Sequence, residues 1–164
     1  MTQRETTDSG SNPLNDFADR DFKSKQTVRT RGWQVSDIEA NAGFSSPTGR
    51  NFIMLSMEKA SRVVINCYEP GAADEMHCHP GSEHTFLVWK GKLHLTGIED
   101  GEDVTLGPGQ FVQIAAGYYY RLHNPGPEPA VYCQFGTVPA RKPKRTTVLF
   151  SESRRGKKEA VAAV

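Results

Sequence analysis

Short apolar runs separated by turn residues recur from about residue 27 to residue 150, and they limit the folds open to this chain. About nine of them have the length of a strand, and many alternate apolar with polar residues: NFIMLSM, RVVINCY, HTFLVWK, KLHLTGI, DVTL, QFVQIA, YYYRLHN, AVYCQFG and TTVLF. Gly, Pro, Asn and Asp lie between the runs, and no strong helical period is present. This spacing predicts one antiparallel β-sandwich or β-barrel.

The segments on either side of this central part have a different composition. Residues 1–26 are predicted to be a flexible arm, within which residues 13–23 have the pattern of a short helix. Residues 141–164 contain eight Lys or Arg and two Glu, a local charge of +6, which leaves −5 for the rest of a chain with net charge +1. Residues 151–164 are predicted to be a charged tail that increases solubility. Contact with nucleic acid is the less favoured alternative.

The cysteines indicate the compartment. The chain has three, an odd number without a pairing motif, and it has no apolar signal and no stretch of membrane-spanning length. Reduced thiols in a cytoplasmic protein are the simplest interpretation. A reactive Cys78 is the alternative.

Three of the five histidines lie in GAADEMHCHPGSEHTFLVWKG, residues 71–91. His77 and His79 are two residues apart, so both side chains point to one face of an extended chain while Cys78 points to the other. The turn-forming HPGSEH is expected to make a hairpin that brings His84 or Glu83 to that face. Neutral imidazoles suit Fe, Zn, Ni, Cu or Mn, so the pattern predicts a metal site.

This stretch resembles the first motif of the cupin superfamily, in which Gly, five residues and His-x-His are followed by three or four residues, Glu, six residues and Gly. Gly71, His77, His79 and Gly91 match this pattern. His84 stands where the family has its glutamate, which implies a first motif with three histidines. Glu83 is the alternative third ligand.

The segment GQFVQIAAGYYYRLHN resembles the second cupin motif, in which Gly, five residues and Pro-x-Gly are followed by two residues, His, three residues and Asn. Gly109, Gly117 and Asn124 match, Ala115 replaces the proline, and Tyr120 stands at the position of the histidine. Tyr120 is therefore a candidate metal ligand as a phenolate, a candidate general acid or base, or a residue that only fills the barrel.

The resemblance, over about residues 50–138, implies a single cupin-type antiparallel β-barrel (a double-stranded β-helix or jelly roll) at residues 27–150. It implies a divalent metal, with Fe(II) favoured over Zn, Ni or Mn, and a small-molecule substrate. Three-histidine cupins resemble thiol and diketone dioxygenases, so a non-heme iron oxygenase is the first hypothesis. A lyase, isomerase or cyclase that uses Tyr120, and a binding protein without catalysis, are the alternatives. Cupins often form homodimers, and one is expected here, without membrane or nucleic-acid partners.

Strand alternation also predicts a core. Its expected members are Ile53, Leu55, Val64, Phe86, Val88, Leu93, Leu95, Phe111, Ile114 and Phe135. His94 is expected on the face opposite to Leu93 and Leu95.

Overall fold

The computed structural model of the protein describes residues 27–29, 34–43, 47–141, 143–153 and 155. The arm at 1–26, with its predicted helix, and most of the tail lie outside these residues. The described part contains a short helix, α1 (Ile38–Asn41), a 3-10 turn at Phe150–Glu152 and twelve strands. The strands are β1 (Thr27–Arg29), β2 (Gln34–Ser36), β3 (Arg50–Met57), β4 (Ser61–Tyr68), β5 (His77–Cys78), β6 (His84–Lys90), β7 (Leu93–Thr96), β8 (Asp103–Leu106), β9 (Phe111–Ile114), β10 (Arg121–His123), β11 (Ala130–Thr137) and β12 (Val148–Leu149).

Ten of the twelve strands form two layers, and β1 and β2 pair with each other in a separate two-stranded sheet. One layer is a five-stranded sheet in the order β3-β4-β11-β6-β9, in which every pair is antiparallel. The other contains the antiparallel sheet β10-β7-β8 and the pair β12-β5, joined by a bridge between His77 and Tyr120. The all-β antiparallel prediction is confirmed.

The main core lies between these layers, because strands of both contribute inward side chains to it. Phe86 and Val88 come from the five-stranded sheet, and Leu93, Leu95 and Leu122 come from the other layer. Burying such side chains is the largest favourable contribution to folding. The core therefore fixes how the two layers face each other, and with that the residues at their open edge.

Eight of the ten predicted core residues are buried, and Phe111 and Phe135 are wrong because they are 65% and 43% exposed. Phe111 pairs with Leu87, and Phe135 pairs with Thr85, on the outer face of the five-stranded sheet. A second, smaller cluster on that sheet contains Ile53 and Leu55 and packs against Ile38 of α1. The two phenylalanines have the parity of this outer face.

Two motif residues have structural roles. Gly91, between β6 and β7, has a φ of +71°, and a Cβ there would collide with the carbonyl oxygen of Pro129, so glycine is required. Asn124 is fully buried and its side-chain amide donates to the carbonyl oxygens of Tyr68 and Glu128, at 2.9 and 2.8 Å. These bonds hold the end of β10 beside the end of β4.

The cysteines Cys67, Cys78 and Cys133 are buried free thiols, and burial raises the pKa of each. Burial and a raised pKa both reduce thiolate reactivity, which counts against a reactive Cys78. Across the described residues, no helix has the length and apolar character needed to span a membrane.

Candidate metal centre

The three histidines of the first motif converge from opposite layers of the sandwich. His77 begins β5 in the smaller layer, His79 follows it, and His84 begins β6 in the five-stranded sheet. The ring centroids of His77 and His79 are 5.0 Å apart, and those of His79 and His84 are 4.4 Å apart. The predicted hairpin is wrong, because β5 and β6 do not pair and the turn between them crosses from one layer to the other. The three histidines nevertheless lie close together, although no hairpin joins β5 to β6.

Backbone carbonyl groups orient the first two imidazoles. Nδ1 of His77 lies 2.7 Å from the carbonyl oxygen of Glu75, and Nδ1 of His79 lies 2.9 Å from that of Thr146. A carbonyl oxygen only accepts, so each Nδ1 carries the ring proton and donates it. The lone pair of each ring is then on Nε2, the arrangement that metal-binding histidines commonly have.

His84 is 1% exposed and uses both ring nitrogens. Nη2 of Arg62 lies 2.8 Å from its Nε2, and the hydroxyl of Tyr120 lies 2.8 Å from its Nδ1. A guanidinium group has no acceptor, so Nε2 accepts, which leaves the ring proton on Nδ1 to be donated to Tyr120. All three histidines therefore have the same tautomer, and Tyr120 lies behind His84.

Burial keeps two of these imidazoles neutral. It lowers the pKa of His79 to about 4, with a smaller contribution from His77. It lowers the pKa of His84 to about 2, with smaller contributions from His79 and Arg62. Uncharged imidazole is the form that binds metals, so no proton has to be displaced at neutral pH.

Tyr120 is 4% exposed, and its ring centroid lies 4.7 Å from that of His77. Burial first, and the carboxylate of Asp74 second, raise its pKa well above the ordinary value of a phenol. The hydroxyl is therefore protonated at neutral pH. Since its oxygen accepts from His84, its own O–H can donate to another group in the site.

Two polar residues of the site have no place in the motif pattern. Arg62 of β4 contacts His84, and the side-chain amide nitrogen of Gln134 on β11 lies 3.2 Å from both ring nitrogens of His84. Both side chains share the inward parity of buried neighbours on their strands, Val64 and Tyr132. A charged or amide side chain at an inward position of a strand is the sequence signal that could have found them.

The remaining polar candidates from the sequence, Glu83 and His94, lie outside the group of three histidines. Glu83 is exposed, whereas the adjacent His84 is buried. His94 and His123 pair across β7 and β10, with ring centroids 6.2 Å apart. This fits the predicted parity of His94, since Leu93 and Leu95 are buried on the opposite face.

The donor set fits a divalent metal in its chemistry, because three imidazoles carry their Nε2 lone pairs in one tautomer. The guanidinium group of Arg62 competes with a metal for one of these lone pairs. Arg62 donates to Nε2 of His84, and this bond has to break before His84 can act as a ligand. Within the part of the chain that is described, no group of three His, Cys, Asp or Glu side chains is already arranged to hold a metal.

Comparisons with known proteins bear on both motifs and on the two-layer fold. A family model described as "Cupin domain" matches residues 64–135, which include most of the site. Residues 64–135 belong to a cupin domain. The first cupin motif, residues 71–91, contains β5, the turn that crosses to the other layer, and β6. The second motif, residues 109–124, contains β9 and β10, with Tyr120 at the position of the histidine.

Solved structures give the same fold. The protein TT1209 from Thermus thermophilus is 21% identical, with 63% of this chain and 95% of that chain covered and a TM-score of 0.58. A protein with a double-stranded β-helix domain from Klebsiella pneumoniae subsp. pneumoniae is 20% identical, covering 70% of this chain and 89% of that chain, with a TM-score of 0.60. A cupin-superfamily sugar phosphate isomerase from Silicibacter pomeroyi is 26% identical, covering 58% and 61% of the two chains, with a TM-score of 0.50. No curated protein sequence matches this cupin.

Proposed function

We propose that this cupin is a metal-dependent enzyme that acts on a small molecule, with His77, His79 and His84 as the ligands of a divalent metal. The observation that carries the proposal is the common tautomer of three converging imidazoles, each with its proton on Nδ1. Converging imidazoles that carry their lone pairs on Nε2 are a typical donor set for a divalent metal. Iron(II) is the proposed metal, and a non-heme iron oxygenase is the proposed class.

A bound divalent metal would supply a Lewis-acid centre with coordination positions open to substrate. Three neutral ligands leave the full charge of the cation uncompensated, which favours anionic or chelating substrates. Around it, the hydroxyl of Tyr120 holds His84 in position and can donate its proton inward. The apolar side chain of Phe86, 1% exposed, excludes water beneath the site.

A second candidate is a lyase, isomerase or cyclase in which Tyr120 transfers a proton. The specific observation in its favour is that the phenol is protonated, buried and hydrogen-bonded through its oxygen, so that its O–H remains to be donated. One neighbour of similar fold is called a sugar phosphate isomerase, although this likeness covers 58% of the present chain. In this class Tyr120 is the general acid.

The test of the metal proposal is elemental analysis of protein purified without chelators, for wild type and single variants. Three ligands are near the minimum for a tight site, so His77→Ala, His79→Ala and His84→Ala should each empty it. His94→Ala is the matched control, because His94 hydrogen-bonds Thr105 outside the site, and it should keep the wild-type metal content. Glu83→Ala should keep it as well, since Glu83 is exposed.

Loss of metal from Glu83→Ala but not from His84→Ala would make Glu83, and not His84, the third metal ligand. A wild-type protein that is metal-free and takes up no iron, zinc, nickel or manganese would overturn the metal proposal. Oxygen consumption by the iron form separates the oxygenase from the second candidate. Ligand binding without turnover in every metal form would indicate a binding protein instead of an enzyme.

A further inference from the structure

Arg62 places a positive charge in the site without a negative partner among the described residues. Its Nη2 donates to His84, and its Nε is buried without a hydrogen-bond partner. The ion pairs of the described chain involve other residues, and burial lowers the pKa of the guanidinium group. An arginine keeps its charge in such a setting, so a desolvated cation faces the site.

The groups around this cation do not offset its charge. His84 accepts from Arg62 through Nε2 and donates through Nδ1 to the hydroxyl of Tyr120, so neither contact of the ring brings a negative charge to the guanidinium group. Gln134 contributes an uncharged amide. Asp74 forms no ion pair with Arg62: its carboxylate accepts from the backbone N–H of Leu122 at 2.6 Å and from the hydroxyl of Tyr68 at 3.3 Å, and it lies 3.8 Å from Nδ1 of His77.

The fold makes room for the guanidinium group at Gly136. A Cβ at this position would lie 2.8 Å from Nε of Arg62 and 3.2 Å from Cδ2 of His84. The first contact is closer than a side chain tolerates and the second is tight, so the glycine allows Arg62 and His84 to lie side by side. Nε of Arg62, buried beside this glycine, is left without a hydrogen-bond partner among the described residues.

We propose that Arg62 is the carboxylate-binding residue of the site, and that the substrate or ligand is a small molecule with one carboxylate group. This inference rests on the proposed small-molecule function and adds the chemical class. A planar guanidinium group binds a carboxylate through two parallel N–H···O bonds. One guanidinium group offers its paired donors to the two coplanar oxygens of one carboxylate, and inorganic phosphate is the competing anion in the test.

The experiment is calorimetric titration at constant ionic strength with acetate, pyruvate and benzoate as probes, their uncharged amides as comparisons, and inorganic phosphate. The variants are Arg62→Gln and Arg62→Lys, and the matched control is Lys59→Gln, which removes the same charge from an exposed position near the start of β4. Metal content is measured on each sample. Far-UV circular dichroism checks the fold of each variant.

We expect at least one carboxylate to bind wild type and Lys59→Gln, while its amide and phosphate bind more weakly. Arg62→Gln should weaken carboxylate binding about 10- to 100-fold, because a charge-assisted hydrogen bond is lost. Arg62→Lys should fall between the two, since it keeps the charge and loses the paired donors. If Arg62→Gln does not fold, the folded Arg62→Lys variant supplies the comparison.

Equal carboxylate affinity in wild type and the Arg62 variants would overturn the inference, and so would failure of every carboxylate to bind. Phosphate binding tighter than any carboxylate would overturn the assigned class. Arg62-dependent carboxylate binding by a protein without metal would support the inference while the metal proposal fails. Normal metal content without carboxylate binding would support the metal proposal and overturn the inference about Arg62.

Discussion

His84 connects the two chemical groups that define the site. Arg62 donates to one ring nitrogen, and the other donates to Tyr120. Of these two contacts, the one with Tyr120 is compatible with metal binding through Nε2, whereas the one with Arg62 competes with it. At the scale of the single residue, Tyr120 therefore supports His84 from behind, and Arg62 is the group that has to move.

Tyr120→Phe should lower the free energy of unfolding by about 1–3 kcal/mol, because the buried Nδ1–H of His84 loses its acceptor. The matched control is Tyr118→Phe. The hydroxyl of Tyr118 donates to the carboxylate of Glu102 at the protein surface, 2.6 Å away, so Tyr118→Phe should lower the free energy of unfolding less than Tyr120→Phe does. Urea denaturation at neutral pH measures both changes.

The same variants separate the roles open to Tyr120. A destabilised fold with metal still bound, up to about 100-fold more weakly, would agree with a hydrogen-bond partner that orients His84. Loss of metal from Tyr120→Phe alone would make Tyr120 a ligand. Equal stability changes in the two variants would contradict the proposed bond to His84.

At the scale of the element, β12 and the residues before it complete the site from a distant part of the chain. β12 pairs with β5, with Val148 opposite Cys78 and Leu149 opposite His77. The carbonyl oxygen of Thr146 receives the Nδ1 proton of His79. This segment therefore orients one histidine and forms the edge of the strand that bears the other.

Truncation tests this role. Removing residues 146–164 should weaken metal affinity about 10- to 100-fold, the usual effect of losing the groups that orient metal ligands. Removing residues 151–164 keeps Thr146 and β12, and should leave metal affinity unchanged. Metal titration of both proteins, after circular dichroism has confirmed their β-structure, is the measurement. The same loss in both truncations would contradict the role of β12.

At the scale of the whole molecule, the two layers bury the histidines together with the main core. The outer face of the five-stranded sheet instead exposes apolar side chains, among them Phe111 and Phe135. The expected homodimer stays a prediction, and this face is one surface that it could bury.

The buried neutral histidines make global stability depend on pH. In the unfolded chain their pKa returns to about 6.5, whereas in the folded protein it is about 4 for His79 and about 2 for His84. Below about pH 6.5 the unfolded chain binds more protons, so the stabilisation is complete above that pH and decreases as the pH falls toward 4 and below. Each histidine contributes a slope of up to about 1.4 kcal/mol per pH unit.

Urea denaturation of the chelator-treated protein between about pH 7.5 and about pH 4.5 measures this dependence. His79→Gln should flatten the profile relative to wild type. The control His94→Gln, outside the site, should run parallel to wild type. A profile of His79→Gln that also runs parallel to wild type would contradict the low pKa of His79.

The sequence by itself determined the local parity of the strands, because side chains of an extended chain alternate between two faces whatever surrounds them. His77 with His79, His84 with Phe86 and Val88, and Leu93 with Leu95 followed from this rule. Parity does not say which face is covered, so hydrophobicity alone wrongly placed Phe111 and Phe135 in the core.

The tertiary structure alone decided which strands oppose each other. β5 and β6, five residues apart along the chain, lie in different layers, and Arg62 and Gln134 reach His84 from strands that are 22 and 50 residues away in sequence. Strand order is set by burial of the whole core, a sum over many distant side chains that no local pattern contains. For that reason the histidines could be predicted from their spacing, whereas the cation beside them could not.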